Sequence, residues 1–282
     1  MRKTYKLYIG GAFPRSESGR SYVVVDSAGA FLANAALASR KDVRDAVVAA
    51  RKAQHGWSRA TAYNRGQILY RVAEMLDGRR AQFVEEVASS EGIGHKQALA
   101  TVDAAVDRWV WYAGWADKVA QVVGSSNPVA GPFFNFSIPE PTGVVGVIAP
   151  QSSSLLGLVS VLAPVLVTGN AAVLLASELR PLPAITLAEV LATSDLPGGT
   201  VNLLTGRVAE LAPVLAAHRD VDALDLAGAP AQLLVELEQA AVSNVKRVLR
   251  PDRAEPDWNL APTPRRMLAF LETKTVWHPV GV

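Results

Sequence analysis

The stretch GVVGVIAPQSSSLLGLVSVLAPVLVTGNAAVLLASE, residues 143–178, decides the fold. From 141 to 177 no side chain ionises, a length at which a membrane span has to be considered. Pro150, Pro164, Gly169, Asn170 and the polar run Gln151-Ser152-Ser153-Ser154 cut it into short apolar pieces. Those pieces read as strand, helix, strand. A parallel strand covered on both faces shows an unbroken apolar run, not alternation.

The same grammar continues downstream. Candidate strands are Gly143–Ala149, Ala171–Leu175, Thr200–Leu204, Asp222–Leu226 and Val245–Leu249, with helices near 153–167, 183–193, 208–217 and 231–241. This alternation predicts right-handed crossovers and a doubly wound, mostly parallel α/β sheet. Ligands of such sheets bind beyond the carboxyl ends of the strands, here Pro150–Ser154, Ala176–Glu178, Gly206 and Ala227–Pro230.

Upstream, Tyr5–Ile9, Ser21–Asp26 and Phe31–Ala36 read as β, followed by helices over Asp42–Gln54, 64–77 and 79–90. One long helix is expected from Gln97 to Val123. Its Trp109, Trp111, Tyr112 and Trp115 are read as packing residues, because no second aromatic platform accompanies them. The strand Phe133–Ile138 follows, bracketed by turns. The run RPDRAEPDWNLAPTPR, 250–265, carries four prolines and dense charge and reads as a linker. A short helix, Arg266–Leu271, then leads into a final strand, Glu272–Trp277.

Composition narrows the function. Half the residues are hydrophobic and 19% are charged, which is globular rather than disordered. A net charge of +2 with no basic stripe argues against a nucleic-acid partner. The chain has no cysteine, which excludes disulfides, thiolate metal sites and a thiol nucleophile. With no apolar leader in MRKTYKLYIGG, a cytoplasmic location is expected, and no membrane association. The four histidines, His55, His95, His218 and His278, lack metal-ligand spacing, so no metal site is expected.

Several collinear segments resemble the aldehyde dehydrogenase superfamily: IGGAF at 9–13, SGR at 18–20, GWS at 56–58 and YAGWADK at 112–118. EPTGVVGVIAP at 140–150, SE at 177–178, LPGGTVNLLTG at 196–206 and ETKTVW at 272–277 continue the series. The resemblance implies a Rossmann-like NAD(P) domain, a catalytic domain and a subunit-bridging arm. It divides the chain into an N-terminal β and helical region (1–126), a bridging strand (127–141) and a cofactor-type domain (142–250). The proline-rich linker (251–265) then stands in place of the catalytic domain, and a C-terminal helix and strand close the chain (266–282).

The departures from the family are as informative. No cysteine is present to attack an aldehyde, and in KRVLRPDRAEPD Pro251 falls where the resemblance places the general-base glutamate. No catalytic residue is therefore assigned. Pro150, Ser152, Ser177, Glu178, Gly206 and Gly228 correspond to the family's cofactor-side positions, as vestiges. Ser152 stands for the oxyanion asparagine, Leu175 for a lysine beside the ribose-binding glutamate, and Ala227-Gly228-Ala229-Pro230 for a Thr-Gly-Ser phosphate cradle. No cofactor is expected, or NAD(P) only weakly. The resemblance implies that the final strand adds to a neighbour's catalytic sheet and that the helix near 231–241 lies at a dimer contact. The expected partner is a full-length aldehyde dehydrogenase, with a self-dimer as the alternative. An oxidoreductase completed by a partner chain and a module repurposed for another nucleotide are the competing readings.

Overall fold

The computed structural model describes residues 3–251 and 255–281. The N-terminal region opens on β1 (Thr4–Tyr5), β2 (Ser21–Val25) and β3 (Phe31–Ala36), which form a three-stranded sheet ordered β1-β3-β2. Four helices follow: α1 (Arg40–Arg59), α2 (Ala62–Gly78), α3 (Arg80–Glu91) and α4 (His95–Ala113). A reciprocal cap starts α1. The Ser39 amide donates to Asp42 Oδ2 at 2.7 Å and the Asp42 amide to Ser39 Oγ at 3.3 Å. Val43, Ala46, Val47 and Ala50 then bury one stripe of α1 against the main sheet.

Two expectations for this region need correction. The strand expected over Tyr5–Ile9 is regular only at Thr4–Tyr5, and Tyr8 instead makes an isolated antiparallel bridge to Leu203. The long helix expected to Val123 ends at Ala113, and a separate α5 covers Val119–Val123. Gly114 closes α4, and the amides of Trp115 and Ala116 turn back to Tyr112 and Ala113 at 2.9 and 3.2 Å. Apolar spacing persists through this turn, so periodicity alone hides it. Trp109 and Tyr112 lie in the core, while Trp111 and Trp115 pack against its margin.

The arm begins with β4 (Ser125–Asn127) and β5 (Phe133–Pro141). The main sheet then comprises β6 (Val144–Ile148), β7 (Ala171–Leu175), β8 (Val201–Leu204), β9 (Ala223–Asp225) and β10 (Arg247–Leu249). Its order is β10-β9-β6-β7-β8, and every pair is parallel. The crossovers are α6 (Leu156–Val167), α7 (Leu182–Ala192), α8 (Val208–Ala217) and α9 (Leu234–Val242), the last preceded by a 3-10 turn, Ala231–Leu233. β6 and β7 are wholly buried, as are all twelve residues of α6, which accounts for the non-ionising stretch. Among the described residues no helix is long and apolar enough to cross a membrane.

Two layers cover the sheet. α1, α8 and α9 pack one face, and α6, α7 and the α2–α4 group pack the other. The winding reverses between β6 and β9, which places a crevice beyond their carboxyl ends. The chain closes with α10 (Arg265–Ala269) and β11 (Leu271–Pro279). β11 pairs antiparallel with β5 along its full length in a sheet ordered β11-β5-β4. Leu271 therefore belongs to the final strand and not to the short helix before it.

Candidate functional site

The structure gathers the six cofactor-side positions at the carboxyl end of the main sheet, and Gln151 ties several of them together. Its Nε2 donates to the Ala149 carbonyl at 2.7 Å, and its Oε1 accepts the Glu178 amide at 2.9 Å. Its own carbonyl accepts Ser177 Oγ at 2.9 Å. Pro150 is buried and abuts Gly157, where a Cβ would lie 3.0 Å from the proline ring. Ser152 is exposed, and its carbonyl accepts from Arg180. Ser154 is anchored from across the loop, since Glu91 Oε1 accepts both its amide and its hydroxyl at 2.6 Å.

Glu178 is committed within the fold. Its Oε1 pairs with Arg207 Nη1 at 2.5 Å, and its Oε2 accepts the Val208 amide at 3.1 Å. The second contact caps the first turn of α8, where a carboxylate also meets the positive end of the helix dipole. The carboxylate in turn raises the Arg207 pKa, through the hydrogen bond first and then its charge. Gly206 turns the chain at φ +150°, where a Cβ would lie 3.2 Å from the Ala38 amide nitrogen.

The loop after β9 spends its amides in the same way. Ala227 N donates to Asp225 Oδ1 at 3.0 Å, Gly228 N to Ile148 O at 2.9 Å, and Ala229 N to Leu226 O at 3.0 Å. Pro230 has no amide hydrogen to give. A side chain at Gly228 is impossible as the loop stands, because its Cβ would sit 1.8 Å from the Ala149 carbonyl oxygen. Beside these residues lies a crevice of about 700 Å³ walled by Ala227–Ala231, Leu234, Pro251 and Pro256. Of its charged residues, Arg250 pairs with Glu238 at 2.6 Å and Arg266 with Asp225, while Glu255 accepts from the Trp258 indole.

The sequence reading missed the lock that closes this end of the sheet. Asp225 on β9 has no exposed surface, and Arg266 of α10 is its ionic partner. Burial pushes the Asp225 carboxyl up, against the opposing pull of Arg266 and of the Ala227 amide. Arg108, almost fully buried on α4, donates to Ser160 Oγ at 2.7 Å and to the carbonyls of Trp258 and Leu260 at 2.8 and 2.9 Å. Trp258 is itself buried. Its indole lies under the Arg266 guanidinium, 5.3 Å from ring centre to Cζ, and its Nε1 donates to Glu255 at 3.0 Å. The run expected to be a linker is therefore docked from Glu255 onward against the sheet end. A tryptophan amid prolines was the available signal.

Among the described residues no cluster of His, Cys, Asp and Glu could hold a metal ion. The four histidines lie apart on separate elements, exposed or half-buried.

Comparison with known proteins fits this architecture. The aldehyde dehydrogenase family profile matches residues 13–250, and the chain belongs to that family. It is 30% identical over 256 residues to the cytosolic 10-formyltetrahydrofolate dehydrogenase of Mus musculus, covering 88% of this chain and 28% of that one. It is 32% identical over 247 residues to the mitochondrial benzaldehyde dehydrogenase of Antirrhinum majus, covering 86% and 46% respectively. Among solved structures, HpcC from Thermus thermophilus superposes with a TM-score of 0.83 at 30% identity, over 87% of this chain and 47% of that one. The NAD+ complex of an aldehyde dehydrogenase from Bacillus cereus gives 0.81 at 26% identity, over 87% and 50%. The chain spans about half the length of these relatives, or less.

Proposed function

We propose that this chain is a catalytically silent member of the aldehyde dehydrogenase family that serves as a subunit for a full-length aldehyde dehydrogenase. One observation carries the reading: at the crevice where a doubly wound sheet binds its ligand, the amides of 227–229 and the charges of Glu178, Arg250 and Arg266 are already bonded inside the fold. A dinucleotide pyrophosphate needs free amide donors at a helix N-terminus. Here the three amides of 227–229 are bonded internally, Pro230 supplies none, and a 3-10 turn precedes α9. Glu178 is held by Arg207 and α8. The residues present do not fit the cofactor, and no reaction step is assigned to the chain.

The absence of a thiol supports silence independently of the cofactor. What the fold offers a partner is its arm, whose outer strand β11 is exposed along most of its length. Three measurements test the reading. Purified protein with NAD or NADP and a panel of aldehydes should form no reduced nicotinamide above the blank. Calorimetry should detect no NAD(P) binding below about millimolar concentration, the result of losing roughly 3–5 kcal/mol of clamp contacts. Co-expression with full-length aldehyde dehydrogenases of the same genome should give a mixed complex on size exclusion. Turnover in the purified chain would overturn the silent reading, and a micromolar dissociation constant would favour a composite enzyme.

A further inference from the structure

The arm sheet ends in β11, whose residues from Glu272 to Pro279 are exposed except for a half-buried Val276. Its pairing with β5 runs one-to-one from Leu271 to Pro279 without a bulge. The phase of the hydrogen bonds follows from the two ends. Thr142 N donates to Phe270 O at 3.2 Å, and Val280 N to Pro132 O at 2.8 Å. Even-numbered residues of β11 therefore bond to β5, and Leu271, Thr273, Thr275 and Trp277 turn their backbone groups outward. Pro139 and Pro141, which have no N–H, sit opposite Thr273 and Leu271, as this phase requires.

Edge strands are normally protected by free charges, bulges or proline. Here Lys274 is paired with Glu140 at 3.0 Å, and Glu272 is paired with Arg247 at 2.5 and 2.6 Å. No bulge or proline interrupts Leu271–His278. The edge is thus long, straight and charge-neutralised, with Trp277 and Phe133 exposed beside it, their rings 5.7 Å apart.

We propose that this edge pairs antiparallel with β11 of a second copy of the chain, with the two-fold axis at Thr275. That register is the one in which all nine residues of β11 find a partner. It sets Glu272 opposite His278, Thr273 opposite Trp277 and Lys274 opposite Val276. A two-residue slip one way puts Lys274 opposite Lys274, so like charges face each other, and a slip either way leaves two residues of each β11 without a partner. An odd slip brings opposite faces of the sheet into register. The proposal goes beyond the subunit reading, because one edge cannot serve both partners at once. The self-pair is the form of the isolated protein.

Sedimentation should give the isolated protein twice the 29.9 kDa chain mass. Thr275→Pro removes an outward N–H and leaves the β5 ladder intact, so it should sediment as a monomer with an unchanged circular dichroism spectrum. The chain has no cysteine, so a single Thr275→Cys reports on the axis cleanly. Two such residues would face each other with Cα atoms about 5.5 Å apart, within disulfide reach. Thr273→Cys would lie roughly 13 Å from its own copy and should not cross-link. A monomeric native protein, a dimer that survives Thr275→Pro, or equal cross-linking at 273 and 275 would each overturn the proposal. Where the self-pair forms but no added full-length dehydrogenase displaces it, the inference stands and the subunit reading falls.

Discussion

Replacing Arg266 with methionine tests the lock directly. The substitution keeps most of the apolar stem but leaves the Asp225 carboxylate fully buried without its cation. Breaking a buried pair from one side typically costs about 3–5 kcal/mol. The structure supplies an independent ceiling, because the stranded carboxyl can escape its charge by taking up a proton. From an ordinary value of 3.8, protonation at pH 7 costs about 4 kcal/mol at roughly 1.4 kcal/mol per pH unit. Loss of the stack on Trp258 adds about 0.5–1 kcal/mol. Urea denaturation should therefore show a deficit of about 3–5 kcal/mol at pH 7. The pH dependence fixes the cause. In the variant the folded-state value lies above the unfolded one, so the folded state binds more protons. The deficit should be fully present at neutral pH and shrink as pH falls toward 3.8. Adding Asp225→Leu should recover most of the loss, leaving about 1 kcal/mol for the orphaned Ala227 amide. A deficit under about 1 kcal/mol, or one independent of pH, would show that the pair does not hold the segment.

Other perturbations probe the remaining contacts. Glu178→Ala should cost about 1–2 kcal/mol through the lost α8 cap and Arg207 pair, and NAD should shift the melting temperature of neither protein. Gly228→Ala should cost about 3 kcal/mol or more in chemical denaturation, since its Cβ meets the Ala149 carbonyl. Hydrogen bonds from Arg247 hold the Glu272 carboxyl below its usual 4.5, so this tie between β10 and β11 is present above that value and lost as pH falls below it. The side chain is half exposed, which limits the effect to about 0.5 kcal/mol. Amide exchange in β11 should accelerate on acidification, and Arg247→Gln should abolish that sensitivity.

Strands β6, β7 and β8 were legible because buried parallel strands announce themselves as runs without charge between turns. β6 and β7 fall inside their expected spans, Gly143–Ala149 and Ala171–Leu175. That the strands' carboxyl ends lie together followed from the alternation of strands and helices; the strand order that sets the crevice between β6 and β9 did not. Nor did its closure, because Asp225 beside Asp222 looks like an ordinary solvated carboxylate until Arg266 is known to reach it from 41 residues away. Arg108 was equally hidden, one of several charges on a helix whose aromatic residues drew the reading. The segment from Glu255 onward was misread because proline and dense charge describe a free tether and a docked segment equally well, and residues 252–254 lie outside the described residues. The break at Gly114 escaped because apolar spacing carries across it.

The bridge between Tyr8 and Leu203 sets the order in which this protein can be completed during its synthesis. Leu7 and Tyr8 are buried, and Gly10 donates to Asn202, 192 residues further along the chain. At cellular elongation rates that separation corresponds to roughly 10–40 s between the emergence of the two partners from the ribosome. For that interval the leading segment can pair with β3, but the edge of β8 that Tyr8 and Gly10 will cover has not yet been made. Tyr8 and Gly10 are therefore among the residues fixed in place late, and holding them meanwhile falls to whatever binds nascent apolar chain at the exit tunnel.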